Sequence, residues 1–482
     1  MRQKSFKRHR KECIWYFGIT ALTAIIIIIL LTIFLPNSPL EVGAGLLLAV
    51  LWLLFFRHPE VGLAIQLVGF PLYPTVFGWL GLTTSSQTTL IFYLFLAMSY
   101  LIGGAYRNRR KLREIFCQPA MIAVGAFIGW MLFNWLLLSI NNDYALYKIG
   151  FIPLLMLAPL LGSQLLGIPQ MRRFLWIVLG VGTLSIIIAL KGLAAADIDE
   201  VMRLSVSEFT SPLGFAYSIG ASAVVAVSLG WLGTTSLRLM VLVFVAAAVF
   251  LIAASGSRGP LLALGATFCI SVLMGRRRRL FIFAIMMLFV GILPLLSSHL
   301  PDAPLRRIQR TFDVIGSWQE QDLTIASAGR SDIWATSVAL WSHNPLVGIG
   351  VGNYQLFDPA GQFSHNFILE ILVELGMIGL VFFTIYFFFV VSALRRLVTQ
   401  ETELAMAGAT LLVYSLVQIS FSGQIQGAVM FWFSSGVVLL LGRYSPAHLN
   451  IPSRHHFLMG RKLRRQGEFN RQNNLTSSSM ER

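Results

Sequence analysis

Charged residues are scarce in this sequence. They make up only 12% of the 482 residues, whereas hydrophobic residues make up 56%. Soluble globular domains carry roughly 25% charged residues, so this composition excludes an ordinary soluble enzyme. Cysteine is also rare, with three residues at positions 13, 117 and 269 that show no metal-ligand spacing. We therefore expect neither a disulfide nor a zinc site.

Acidic residues are outnumbered by basic ones, 21 to 37, which gives a formal net charge of +16. An excess of basic over acidic residues indicates a nucleic-acid partner only where the basic residues form one face of a soluble domain. Here lysine and arginine stand in short clusters between hydrophobic runs, so we expect no nucleic-acid partner. Clusters of this kind orient a protein in a membrane, because cytoplasmic loops are enriched in Lys and Arg.

Apolar runs dominate the rest of the sequence, and many approach the roughly 20 residues that a helix needs to cross a bilayer. The first run, 15–35, lacks a small-residue cleavage site and predicts an uncleaved helix rather than a signal peptide. Further spans are predicted at 40–56, 61–80, 90–106, 119–140, 149–168, 174–193, 213–233, 239–256, 260–275, 280–297, 366–393, 404–422 and 427–442. The sequence therefore predicts an all-α, polytopic transmembrane helical bundle of about 12–14 helices.

The basic clusters predict which loops share a side of the membrane. With a cytoplasmic N-terminus, every strong cluster falls on the cytoplasmic side, at 57–58, 107–113, 172–173, 238, 276–279 and 395–396. The opposite side receives polar loops. The predicted organisation is a cytoplasmic basic N-terminus (1–14), a transmembrane bundle (15–297), an extracytoplasmic loop (298–365), C-terminal transmembrane helices (366–442) and a basic, disordered cytoplasmic tail (443–482).

The long outer loop carries two predicted helices of its own. Apolar residues recur at helical spacing from Leu305 to Trp318 with arginines between them, as in an amphipathic helix at a membrane surface. A second helix begins near Ser331, a good cap, and ends before Asn344-Pro345. Its predicted buried residues are Ile333, Trp334, Val338 and Trp341. Glycines at 348, 350 and 352 then allow tight turns or a close backbone approach to a ligand.

Three arginines, Arg203, Arg258 and Arg330, fall on the predicted outer face, where arginine is the exception. Each could contact a lipid headgroup or pair with a nearby acidic residue such as Asp332. Arg258 differs because it lies in a short turn between two helices, which keeps its guanidinium near the mouth of the bundle. The planar donors of a guanidinium suit a phosphate or a pyrophosphate, so Arg258 is the strongest candidate for an anion site.

A polar segment leads from the long loop into an apolar helix that carries two carboxylates. His365 and Asn366 stand at the predicted helix start, and Glu370 and Glu374 follow on the next turns. The histidine could be a helix cap or a headgroup contact, and the glutamates could pair with another helix. A neutral imidazole with polar neighbours can also accept a proton from an attacking hydroxyl. Ionisable groups near lipid are costly and tend to mark function.

These segments match a known family pattern. His365-Asn366, nine residues and then Gly376-Met377-Ile378-Gly379 resembles a signature of bacterial O-antigen ligases. The stretch from Arg258 to Leu262 resembles their second signature, an arginine and a leucine separated by three residues. The segments 330–334 and 344–353 look like a loop shared by O-antigen ligases and related polymerases. The resemblance is specific over about 250–380 and only topological elsewhere.

The resemblance implies a GT-C-like glycosyltransferase of the bacterial cytoplasmic (inner) membrane, with its active site on the periplasmic side. Such an enzyme moves a glycan from an undecaprenyl-diphosphate carrier to an acceptor sugar hydroxyl, for example on lipid A core, with inversion and without a cofactor or a metal. The implied catalytic residues are Arg258, which holds the diphosphate, and His365, which assists the acceptor. The implied substrate-binding residues are Arg203, Arg330, Asp332, Trp334, Asn366 and Glu370, and the remaining motif positions are Leu262, Gly376 and Gly379.

Three alternatives remain open at this point. A polymerase of the same superfamily, whose acceptor is another lipid-linked glycan, fits the sequence around His365 equally well. A transporter of lipid-linked glycans needs polar residues in the middle of several helices, whereas the central spans here are mostly apolar. A non-catalytic scaffold leaves the arginine and histidine pattern unexplained.

Overall fold

The computed structural model describes residues 50–69, 72–73, 86–140, 142–195, 212–230, 234–274, 330–357, 363–400, 402–425 and 427–444. Within these ranges the chain is helical and has no β-strand. The helices are α1 (Val50–Arg57), α2 (Pro59–Val68), α3 (Ser86–Arg107), α4 (Arg109–Phe116), α5 (Pro119–Leu138), α6 (Asn142–Phe151), α7 (Ala158–Leu165), α8 (Ile168–Ala195), α9 (Pro212–Gly230), α10 (Thr235–Ala254), α11 (Arg258–Met274), α12 (Arg330–His343), α13 (Phe367–Val398), α14 (Glu403–Ser422) and α15 (Val429–Leu441).

Seven helices in the described ranges are long and apolar enough to cross a membrane, or eight if the bent pair α1 and α2 forms one span. The structure thus confirms the predicted class, a polytopic helical membrane protein. The predicted spans at 15–35 and 280–297, the amphipathic helix near 305–318 and the tail beyond residue 444 lie outside the described residues. The total of about 12–14 helices therefore stays a prediction.

Helix α9 lies at the centre of the bundle. Of its membrane-spanning part, 89% is buried, and α8, α10, α11 and α14 pack around it. Small side chains allow this crowding, because a Cβ at Gly220 would stand only 2.2 Å from the Tyr414 hydroxyl. On the outside, large apolar side chains such as Leu136, Leu137 and Phe388 are exposed, as expected of a surface that faces lipid.

Among the described residues, the predicted cytoplasmic clusters at 57–58, 107–113, 172–173 and 395–396 meet at one end of the bundle, which we name the basic end. Arg107 of α3 donates a hydrogen bond to the carbonyl of Arg57 in the turn between α1 and α2. Arg173 of α8 pairs with the buried Glu60 of α2 at 3.1 Å. The chain bends by 107° between α1 and α2, at the position where the sequence predicts a turn. The predicted outer loops that are described meet at the opposite end.

Two local predictions differ from the structure. The sequence predicts a span at 149–168, but α6 already begins at Asn142 and continues through a π-helical turn, Ile152–Leu157, into α7. Lys148 can lie inside this longer helix because two carboxylates pair with its charge. In α12, Val338 is 47% exposed although we expected it to be buried. The buried residue of that helix is Ser337, which hydrogen-bonds to the carbonyl of Ile333 and to the Tyr354 hydroxyl.

Candidate functional site

Helix α13 is broken at Gly376, the first glycine of the signature. This residue has φ 66° and ψ −168°, a conformation that essentially only glycine adopts. The loop that follows α12 inserts at the break. The N–H groups of Ile349 and Gly350 donate to the carbonyls of Val373 and Glu374 at 2.8 and 3.2 Å. In an unbroken helix these carbonyls would accept from Met377 and Ile378.

The displaced amides on the other side of the break also find partners in the loop. Met377 N–H donates to the carbonyl of Pro345 at 2.9 Å, and Ile378 N–H donates to the carbonyl of Leu346 at 3.2 Å. The loop therefore replaces the two helical hydrogen bonds with four of its own and leaves none of these buried groups unpaired. The nine residues between Asn366 and Gly376 form the short helical piece in front of the break.

The loop needs its glycines for the same close approach. Gly348, Gly350 and Gly352 all have positive φ values. A Cβ at Gly348 would stand 2.5 Å from the backbone of Glu374, and one at Gly350 would stand 2.7 Å from the carbonyl of Leu138. These glycines therefore allow backbone to pack on protein backbone. We also expected that these glycines could allow a ligand to approach the backbone closely. The space beside Gly348 and Gly350 is instead filled by the protein itself.

Helix α5 holds the loop from the other side through residues that the sequence analysis did not single out. The side chain of Asn134 donates to the carbonyl of Val347 at 2.7 Å and accepts from the N–H of Val351 at 3.0 Å. The indole N–H of Trp130 donates to the carbonyl of Leu375 at 2.9 Å. An asparagine in an otherwise apolar span is costly in lipid. This cost could have identified Asn134 from the sequence as a residue with a structural partner.

Three buried charges join α6 to the short piece of α13. The ammonium of Lys148 lies 2.5 Å from Glu370 and 2.6 Å from Glu374, and each of the three side chains is at most 3% exposed. Glu370 also accepts a hydrogen bond from the N–H of Ile425 at 2.7 Å. The pairing between helices that was weighed for the two glutamates is therefore present. Lys148 was missed, although a lysine inside an apolar run signals a buried partner.

His365 and Asn366 stand at the start of α13, as predicted. The Asn366 side chain caps the helix by accepting from the N–H groups of Ile368 and Leu369 at 3.0 and 3.1 Å. Its amide donates to the carbonyl of Ser420 near the end of α14. His365 has φ 52°, a strained value for a residue with a side chain, and its ring lies 4.0 Å from the ring of Phe363. The histidine is thus held in a fixed, half-buried position.

Arg258 and Arg330 reach the same end of the bundle from two other helices. Arg258 is the first residue of α11, and the glycine after it would place a Cβ 2.9 Å from the Tyr217 hydroxyl. Arg330 is the first residue of α12, and its charge acts on the same hydroxyl. Partial burial lowers the pKa of Arg330 below its usual range, and Tyr217 opposes this effect. Both arginines are half-buried.

The end of α14 links these groups to the histidine. Ser422, its last residue, lies beside the Tyr217 hydroxyl, and Ser420 accepts the Asn366 hydrogen bond at 3.0 Å. Three segments that are far apart in the sequence therefore converge around Tyr217 and the end of α14. They contain Arg258, Arg330 and His365-Asn366. We name this region the outer mouth. Tyr217 was also missed, because a tyrosine near a helix end is ordinary at a membrane interface.

The remaining predicted site residues occupy varied surroundings. Asp332 is exposed in the first turn of α12, next to Ser331, and the indole nitrogen of Trp334 is buried without a hydrogen-bond partner among the described residues. Leu262 is 47% exposed on α11, whereas Gly379 packs closely behind Leu375. Arg203 lies outside the described residues, so its role stays a prediction.

The described residues contain no group of three or more His, Cys, Asp or Glu side chains that could hold a metal ion. Metal independence stays a prediction, because it concerns the reaction. Cys117 and Cys269 are free thiols in the structure.

Comparison with known proteins bears on the same part of the chain. No curated protein matches the sequence. A family model described as O-antigen ligase matches residues 240–384, a range that includes Arg258, Arg330, His365 and Gly376. The matched range includes both signatures, so over residues 240–384 the chain is similar to O-antigen ligases, which supports its resemblance to the O-antigen ligase and polymerase superfamily.

Proposed function

We propose that the protein transfers a glycan from an undecaprenyl-diphosphate carrier to an acceptor sugar hydroxyl at the outer face of the cytoplasmic membrane, with inversion and without a metal. The observation that carries this proposal is the convergence of Arg258, Arg330 and His365 at the outer mouth. All three lie in the segment matched by the O-antigen ligase family model. A glycan-processing enzyme of the ligase or polymerase kind is what the family match itself supports.

The arginines suit the donor half of the reaction. As the bond between the anomeric carbon and the diphosphate oxygen breaks, the departing lipid diphosphate gains negative charge. Guanidinium groups already in position stabilise that charge more in the transition state than in the ground state. Arg258 and Arg330 are assigned this role, because each begins a helix at the outer mouth and is half-buried. Arg203 is a further candidate for it.

His365 suits the acceptor half. The acceptor oxygen attacks the anomeric carbon from the side opposite the diphosphate, and its proton passes to the neutral imidazole. Asn366 and Glu370 then act as positioning residues, since the cap at Asn366 and the ion pair of Glu370 fix the helix start beside the histidine. Asp332 and Trp334, both on α12 near Arg330, are proposed to contact the glycan.

The lipid tail of the donor needs an apolar surface close to the arginines. Leu262 lies one helical turn beyond Arg258 and is exposed, as are several large apolar side chains of the neighbouring spans. A polyprenyl chain is proposed to lie along this surface, with its diphosphate at the outer mouth.

A transfer assay with the purified protein in lipid vesicles tests the proposal. The vesicles receive an undecaprenyl-diphosphate-linked glycan, with or without lipid A core as a separate acceptor. Arg258→Ala and His365→Ala are each expected to lose about 100-fold or more of the transfer rate. Arg396→Ala, an exposed arginine at the basic end, is the matched control and should transfer at the wild-type rate.

The acceptor dependence separates the candidate functions. Product on lipid A core that disappears in Arg258→Ala and His365→Ala supports a ligase. Longer lipid-linked glycan formed without the added acceptor supports the polymerase alternative. No transfer to either acceptor by the wild-type protein would sink the enzyme hypothesis.

A further inference from the structure

The Tyr217 hydroxyl is a buried hydrogen-bonding group that nothing described so far explains. Tyr217 is only 9% exposed, yet its hydroxyl has no hydrogen-bond partner among the described residues. The Ser422 side chain lies beside it without reaching hydrogen-bonding geometry. Leaving a buried hydroxyl unpaired is energetically costly, so an unpaired one calls for a reason.

Other buried tyrosines of the bundle differ from Tyr217 because their hydroxyls are hydrogen-bonded. Tyr414 donates its hydroxyl proton to the backbone carbonyl of Tyr217 at 3.1 Å, and the Tyr386 hydroxyl shares a hydrogen bond of 2.5 Å with Ser435. Tyr100 donates to Gln66 at 2.5 Å. These hydroxyls serve the packing of the bundle. Tyr217 supplies a backbone carbonyl to that packing, while its hydroxyl has no hydrogen-bond partner among the described residues.

The surroundings of this hydroxyl are suited to an anion. The charge of Arg330 acts on it, and α11 begins beside it, with a Cβ at Gly259 lying 2.9 Å from the hydroxyl oxygen. The first N–H groups of a helix have no partner within the helix and point outward, which favours an anion there. Glycine at 259 lets the hydroxyl approach this helix start closely, because a larger residue would place a methyl group against it.

We infer that Tyr217 is a diphosphate-binding residue whose hydroxyl donates a hydrogen bond to a phosphate oxygen held between Arg330 and the start of α11. This inference rests on the proposed function, because it names a further contact of the same donor. In this role the Tyr217 hydroxyl donates a hydrogen bond to the phosphate and keeps its proton.

Binding of two diphosphates tests the inference separately from transfer. The probes are undecaprenyl diphosphate in detergent micelles and inorganic pyrophosphate, and affinity is measured by titration of the purified full-length protein. Tyr217→Phe keeps the ring and removes the hydroxyl, so both probes should bind about tenfold more weakly with the melting temperature unchanged or raised. Tyr386→Phe, a buried tyrosine whose hydroxyl is paired with Ser435, is the control and should keep the wild-type affinity.

A second variant approaches the same space from the helix. Gly259→Ala places a methyl group 2.9 Å from the Tyr217 hydroxyl, so the hydroxyl has to shift. Binding of both probes should therefore weaken. A purely structural role for Tyr217 predicts the reverse, with stability changed and affinity unchanged.

Each outcome decides the inference. Weaker binding in Tyr217→Phe and Gly259→Ala, with normal binding in Tyr386→Phe, supports it. Weaker binding of undecaprenyl diphosphate alone assigns the contact to the lipid-linked form and also supports it. Wild-type affinity in Tyr217→Phe overturns it, and so does failure of the wild-type protein to bind either probe. Binding that depends on Tyr217 in a protein that transfers nothing overturns the proposed function and leaves this inference standing.

Discussion

At the scale of single residues, Lys148 shows how a charge can be kept inside this bundle. Its ammonium touches two carboxylates of α13, and all three groups are shielded from solvent. With all three ionised the cluster carries one net negative charge. Removing the lysine leaves two like charges buried together, whereas neutralising Glu374 leaves a matched pair with Glu370. The two substitutions should therefore differ strongly in cost.

We expect Lys148→Met to lower the free energy of unfolding by about 3–5 kcal/mol, because it strands two buried carboxylates. Glu374→Gln should cost clearly less, since a neutral amide can still accept from Lys148. The measurement is thermal or denaturant unfolding in detergent. Lys191→Met, at an exposed lysine of α8, is the control. A Lys148→Met protein as stable as this control would show that the ion pairs contribute nothing to stability.

At the scale of elements, the loop and α13 form one interlocked unit. The loop supplies donors and acceptors to both sides of the break, and Gly376 provides the backbone conformation that makes room for it. A Cβ at this position would stand 2.2 Å from the carbonyl of Leu346. The piece after the break, about 22 residues at 377–398, is long enough to span a bilayer alone. The piece in front of it can therefore stand outside the hydrocarbon.

Gly376→Ala should lower the stability by about 2 kcal/mol or more, through backbone strain and displacement of the loop. Glycan transfer should fall with it, because the loop and the helix start at His365 are joined through this unit. Unfolding and transfer are measured on the same preparation. Gly129→Ala in α5 is the matched control, since a Cβ there meets nothing within 4 Å. If both variants had the same stability and the same transfer rate, the break at Gly376 would not be needed for folding or transfer.

The sequence predicts an element well where neighbouring residues determine it, and poorly where residues far away in the sequence determine it. The end of α12 before Asn344 follows from the local proline rule and is confirmed, and its start at Arg330 lies one residue from the predicted start near Ser331. Ser331 lies inside the helix, however, so the prediction that it is the cap is wrong. The break in α13 was not predicted, because the apolar run continues through it and its partners come from the preceding loop. Lys148 and Glu370 are 222 residues apart, so no local pattern can connect them. The family pattern pointed to Arg258, Arg330 and His365 but did not include Tyr217.

At the scale of the whole molecule, the described loops separate into two chemically different ends. The basic end gathers described arginines of the predicted cytoplasmic clusters, such as Arg107 and Arg173, and the outer mouth gathers Arg258, Arg330 and His365. This grouping agrees with the positive-inside rule, which assigns the basic end to the cytoplasm. The exposed Cys117 lies just after the basic helix α4, and Ser342 is exposed in the last turn of α12.

Thiol labelling in intact cells tests this orientation. In a Cys13→Ser, Cys269→Ser background, Cys117 should react with a membrane-impermeant maleimide only after the membrane is opened. Ser342→Cys in the same background should react without opening, because α12 belongs to the outer side. The reverse pattern would invert the assignment and place the candidate site in the cytoplasm.

The insertion of the loop into α13 limits which parts of the outer mouth can act as a gate. The segment 345–350 cannot swing aside without breaking four backbone hydrogen bonds at once, and Asn134 of α5 holds it through the carbonyl of Val347. Neither this segment nor the helical piece that follows His365 can serve as a lid. For the proposed glycan transfer, a bulky glycan would therefore have to enter through parts of the mouth without such anchoring, past a helix start at His365 that is held in place.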